Sequence, residues 1–130
     1  MLDTHALVWY LEANPRLGRE AKRVIDDSLS ELVLPLIALA EAAYIVEKGR
    51  TAIPTVPDLL TAILADLRIA IHPLTWEVFQ QSLNATVLPE MHDRLIVGSA
   101  LHLQSLGDTV SILTKDSSIV EAHLVDTLWQ

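Results

Sequence analysis

The chain contains no cysteine, which excludes disulfides and thiolate metal centres and suits a reducing cytosol. It also lacks the basic stretch followed by an apolar one that marks a secretory signal. No apolar run is long enough to span a bilayer. The longest, residues 32–46, is interrupted by Pro35 and Glu41 and falls short of the about 20 residues a span needs. Positive charge is scarce: 9 Lys and Arg stand against 17 Asp and Glu, for a net charge of −8. A protein that coats nucleic acid carries the opposite balance, whereas one that cuts it through metal ions can carry acids as ligands. There is no internal repeat, linker or low-complexity tract. Together these absences predict one soluble, cytoplasmic domain over residues 1–130 with no membrane partner. Its length suffices to bury roughly two-thirds of the surface its unfolded chain exposes.

What is present alternates between short apolar runs and helical periodicity. Residues 1–9, MLDTHALVW, read as the end of a buried strand that passes directly into a helix, with Thr4 as the expected N-cap. Only Met1 and Leu2 precede Asp3, about 7 Å of strand, where a central strand usually holds about five residues. Asn14-Pro15 breaks the first helix, and a second is expected over residues 16–28. Arg16, Arg19 and Arg23 share one face of it, read as solvated in preference to a backbone-phosphate contact. Residues 31–34 form a strand, and a helix follows from Leu36 to Lys48-Gly49. Pro54 and Pro57 bracket a loop before a helix over residues 58–67. Further strands are expected at residues 69–73, 110–113 and 124–126. Further helices are expected at residues 75–83, capped by Thr75, at 92–106, and at 117–122. Such alternation implies right-handed crossovers and a three-layer α/β/α fold around a parallel sheet.

Four acids sit where a carboxylate is locally out of place. Asp3 and Asp116 each end a buried-looking strand just before a helix, where open α/β sheets place their chemistry. Glu41 lies inside an apolar stripe of Ile37, Ala38, Tyr44 and Ile45, where an unpartnered carboxylate costs several kcal/mol or takes up a proton. The plainer explanation is an ion pair with an arginine. Asp93 opens a helix, where the amide dipoles welcome it, yet it continues the inward line of Ile96, Ala100, Leu103 and Leu106. Arg94 pairs with Glu90 on this reading. Thr114 and Ser117 offer hydroxyls beside Asp116. His5 packs or donates rather than acting as a general base, and His92 and His123 have no partner at zinc-ligand spacing. Four clustered carboxylates raise one another's pKa values. A divalent, oxygen-preferring ion relieves that repulsion, and Mg²⁺ or Mn²⁺ suits all-carboxylate ligation.

The order and spacing of LDTHALVWYL (residues 2–11), ALAEAAYIVEKGR (38–50), HDRLIVGSAL (92–101), LTKDSSI (113–119) and LVDTLW (124–129) resemble the PIN domain, and more narrowly the VapC-type toxins of toxin–antitoxin pairs. The resemblance covers the whole chain. It implies a sheet of about five parallel strands and metal ligation by Asp3, Glu41, Asp93 and Asp116. It further implies endoribonuclease activity on RNA, a homodimer and inhibition by a small antitoxin protein. Thr114, Ser117 and Arg94 are candidate supporting residues. Two blocks depart from the family pattern. Leu34 stands where a Ser or Thr usually precedes the proline, and Glu90-Met91-His92-Asp93-Arg94 replaces the common Asp-Pro-x-Asp-Arg.

The reading that follows is a Mg²⁺- or Mn²⁺-dependent ribonuclease acting as the toxin of a toxin–antitoxin pair. The alternative is a non-catalytic PIN-like module that binds protein partners. A phosphoaspartyl fold of the haloacid-dehalogenase type needs a second Asp two residues after the first, and His5 occupies that place.

Overall fold

Parallel pairing of four short strands organises the chain in the computed structural model, which describes residues 1–130. In chain order the elements are α1 (Thr4–Leu11), α2 (Arg19–Asp26), β1 (Leu32–Pro35), α3 (Leu36–Glu47), α4 (Val56–Ala65) and β2 (Ile69–His72). They continue with α5 (Trp76–Ser82), α6 (Met91–Ser105), β3 (Ser111–Leu113), α7 (Ser117–Ala122) and β4 (Asp126–Leu128). The architecture is mixed α/β, as the alternation of patterns predicts. β1 pairs in parallel with β2, and β3 with β4.

The expected sheet of about five strands is not present as such. It consists of two two-stranded pieces, joined by residues 1–3, which contribute a single bridge from Leu2 to Leu113. The joining bonds run both ways. Leu2 N donates to Val33 O at 2.8 Å, and Leu113 N donates to Met1 O at 2.8 Å. Asp3 then leaves the ladder to start α1.

Several expected boundaries shift, each for a local reason. Asp3, not Thr4, caps α1: its extended backbone lets Oδ1 accept from Ala6 N at 2.9 Å, and Asp is at least as good a cap as Thr. Asn14 Oδ1 accepts from Arg16 N, closing an Asx turn that delays α2 to Arg19 and leaves Arg16 outside it. Pro57 does not belong to the preceding loop. It sits in the first turn of α4 behind the Thr55 cap, where its missing N–H and fixed φ cost nothing. The last strand begins at Asp126 rather than 124, because α7 ends on a left-handed His123 (φ 52°) and Val125 is drawn into the core. Leu106, expected to face inward, is exposed; the inward face of α6 runs through Ile96, Val97 and Ala100.

One core of 27 buried residues links Leu2, Leu7, Ile25, Leu34, Leu59, Ile63, Leu88, Ile112 and Leu113. α5 and α6 pack closely because Gly98 has no side chain. A Cβ there would lie 2.8 Å from Val78 O and 3.0 Å from Ser82 N, both backbone atoms. That close approach fixes α6, and with it the start that carries Asp93.

Candidate active site

Asp3 and Asp116 reach the site by the same device. Each leaves a parallel segment of the array and caps the next helix with Oδ1, Asp3 to Ala6 N and Asp116 to Ile119 N at 3.1 Å. Each therefore keeps Oδ2 out of the capping bond. Leu2 bridges Leu113, and Asp3 N donates to Leu113 O at 3.4 Å, so the two acids emerge side by side. Thr114 lies fully buried between them. Its Oγ1 accepts from Asp116 N at 3.0 Å, and its hydroxyl favours the ionised form of Asp3.

Glu41 comes from the middle of α3, half-buried. No arginine pairs with it, contrary to the plainer expectation. Instead the Thr4 hydroxyl donates to its Oε1 at 3.1 Å, and His92 Nδ1 stands 3.5 Å from its Oε2. Asp93 comes from the first turn of α6, with its backbone N–H donating to Oε2 of Glu90, the cap of that helix, at 3.2 Å. The His92 ring is thus held between two carboxylates, since its Nδ1 is also 3.3 Å from Glu90 Oε1.

The electrostatics show that the four acids share one region. Asp93 is pushed up from 3.8 to about 6, first by burial and then by Asp116, Glu90, Glu41 and Asp3. Burial also raises Asp3, with Asp116 adding to it and the Thr114 hydroxyl and Ala6 N–H opposing it. Glu41 is raised by burial, against the Thr4 hydroxyl and His92. As they stand, no three His, Asp or Glu side chains form a group that could hold a metal ion. Like charges gain by standing apart.

The family model for the PIN domain matches residues 1–122. The chain belongs to the PIN domain family. Members of that family are generally metal-dependent nucleases, which supports nuclease-type chemistry in this PIN domain. No curated protein and no solved structure gives a significant match to the chain. No helix is long and apolar enough to cross a membrane.

Of the candidate supporting residues, Thr114 lies inside the site, between the two strand-end acids. Ser117 is exposed at the start of α7. Arg94 does not pair with Glu90, as the sequence led us to expect. Its guanidinium donates to Leu88 O at 2.6 Å and Thr86 O at 3.1 Å, bracing the loop before α6. The sequence reading missed Thr4, Glu90 and His92. An acid immediately before a helix start was a usable signal for Glu90. Thr4 gave none, since its partner lies 37 positions away and its residue type points to a cap.

Proposed function

We propose that this PIN domain is a metal-dependent endoribonuclease and the toxin of a toxin–antitoxin pair acting in the cytoplasm. The observation that carries the reading is that Asp3 and Asp116, each capping a helix, emerge side by side from the array, near enough with Glu41 to help lift Asp93 to about 6. Acids drawn from four separate helix starts and faces into mutual repulsion are costly for a fold with no use for them.

The donor set fits a hard divalent ion. Asp3, Glu41, Asp93 and Asp116 would hold Mg²⁺ or Mn²⁺, offering oxygen only, and a cation would offset the repulsion among them. Bound there, such an ion lowers the pKa of a water and offsets charge on the departing oxygen of an RNA phosphodiester. The chain's own residues prepare the site. The caps at Asp3 and Asp116 fix one oxygen of each and so restrict the rotamer that presents the other. Thr4 and His92 hold the two oxygens of Glu41, and Thr114 keeps the strand-end acids in register. Asp93 must release its proton to serve as a ligand, so protons compete with the ion and metal affinity falls as pH drops through about 6.

The partners of the proposed assembly are a second copy of the chain and a small antitoxin protein. Support comes from apolar side chains left in solvent: Trp76, Phe79 and Leu83 on α5, and Leu64 and Leu67 at the end of α4. Exposed clusters of this kind mark protein-binding surfaces.

The test combines melting and cleavage. Adding Mn²⁺ to chelator-treated protein raises its melting temperature, because an ion that binds only the native state stabilises it. The same ion switches on cleavage of single-stranded RNA. Stabilisation without cleavage, across a panel of RNAs, favours a non-catalytic binding module instead.

A further inference from the structure

Of the nine Lys and Arg residues, three are committed to acids, Lys22 to Asp26, Arg23 to Glu20 and Arg68 to Asp66. Arg94 is committed to loop carbonyls. Of the remaining five, Arg16, Arg19 and Lys115 gather on one side of α1. Arg16 and Arg19 line an open cleft of about 960 Å³ between α1, α2 and the residue after β4, together with Trp9, Asn14 and Trp129. Glu20 also lines it, but its carboxylate is engaged by Arg23 through two bonds of 3.1 and 2.9 Å.

Trp9 organises this charge. Its ring is buried, set edge-on to Trp129 at 5.9 Å. Lys115 Nζ sits 4.5 Å and the Arg16 guanidinium 5.9 Å from its centroid. An aromatic face holds such cations without neutralising them, so both remain available to an anion. Lys115 is the neighbour of Asp116, and Trp9 lies six residues along α1 from Asp3, about 9 Å at the helical rise. The cations therefore begin at the edge of the acidic site and lead away from it. In a chain of net charge −8, this is a local reversal of sign.

Resting on the nuclease reading, we propose that Lys115, Arg16 and Arg19 form a phosphate-binding track for single-stranded RNA. It holds the backbone of the nucleotides flanking the bond presented to the acids. The groups are charges on flexible stems, two of them set over a ring, so the track reads phosphate and not base sequence.

The test is binding of a fluorescent single-stranded RNA oligonucleotide in chelator, where no cleavage occurs, over a series of salt concentrations. Each lost phosphate contact lowers the slope of log K against log salt by about 0.7 for single strands. The Arg16→Ala/Arg19→Ala protein should bind about tenfold more weakly, with the slope reduced by about 1.4. Lys115→Gln should reduce it by about 0.7. Arg50→Ala, which removes a cation outside the cleft, should change neither quantity, and all variants should melt as the wild type does. Unchanged affinity and slope in both cleft variants, or no RNA binding by the wild type, overturns the track. Cleavage with Mn²⁺ is scored separately. A wild type that binds through these cations yet never cuts keeps the track and removes the nuclease reading. A wild type that cuts, with KM unaffected in the cleft variants, keeps the nuclease and removes the track.

Discussion

Replacing Asp93 by Asn should make the protein more stable and abolish its activity. The carboxyl moves from 3.8 to about 6 on folding, so the folded state takes up the proton more readily than the unfolded chain. The ionised form is then penalised in the fold. The penalty is absent below about pH 4, grows between 4 and 6, and is complete above 6. Taken at full value it amounts to about 3 kcal/mol. Asp93 keeps part of its surface in solvent, so screening reduces this to about 1 kcal/mol. Asn also forgoes the few tenths of a kcal/mol that a carboxylate gains near a helix N-terminus. The net gain is about 0.5–1 kcal/mol, or about 2–5 °C in melting temperature for a domain of this size.

The assay is thermal unfolding of wild type and Asp93→Asn in chelator at pH 7.5 and at pH 4, repeated with Mn²⁺. In chelator at pH 7.5 the variant should melt higher, and at pH 4 the two should coincide. Mn²⁺ should raise the wild type more than the variant, because one ligand charge is missing, and RNA cleavage by the variant should be undetectable. A variant that melts lower in chelator at pH 7.5 would refute the repulsion argument. So would a gain that persists undiminished at pH 4.

The other expectations separate structural from chemical roles. Asp3→Asn keeps an N-cap of equal quality and sheds a buried charge, so it should lose cleavage at equal or higher stability, whereas Asp3→Ala gives up the cap and should be about 1 kcal/mol less stable than Asp3→Asn in urea unfolding. Arg94→Ala leaves the carbonyls of Thr86 and Leu88 without their charged donor and should cost about 2 kcal/mol; a loss below about 0.5 kcal/mol would mean the loop holds itself. Gly98→Ala drives a Cβ against backbone of α5 that cannot turn aside and should cost about 1–3 kcal/mol, read by the midpoint of urea unfolding.

Most of the element order was legible because the hydrophobic period changes cleanly between runs such as residues 31–34 and the α3 that follows. The errors fall where one residue type serves two ends. Asp3 and Thr4 are both good caps, and nothing local decides between them. The choice is settled by Glu41, whose Oε1 takes the Thr4 hydroxyl once Asp3 has supplied the cap. Arg94 was misread for a related reason. Glu90 is the acid one helical turn before it, but its carboxylate is already divided between Asp93 N–H and His92. Arg94 turns instead to carbonyls that sequence cannot display. The apolar setting of Glu41 was readable from α3 alone, whereas the hydroxyl and imidazole that serve it come from two other helices.

The caps also explain how a weak array can hold a charged site. The centre of the sheet contributes only the short segment 1–3 and a single bridge, which is little to position a functional group. Capping adds a second anchor. Once Oδ1 of Asp3 is tied to Ala6 N and Oδ1 of Asp116 to Ile119 N, each carboxylate is oriented by the helix it starts as well as by the ladder it leaves. Capping bonds favour the ionised form, yet Asp3 is still raised, because burial outweighs them. The fold thus spends two capping interactions to keep a buried acid in one orientation without making it comfortable. An acid that is held in place but raised in energy gains most from a cation, and that is the state a metal-dependent nuclease needs before its ion arrives.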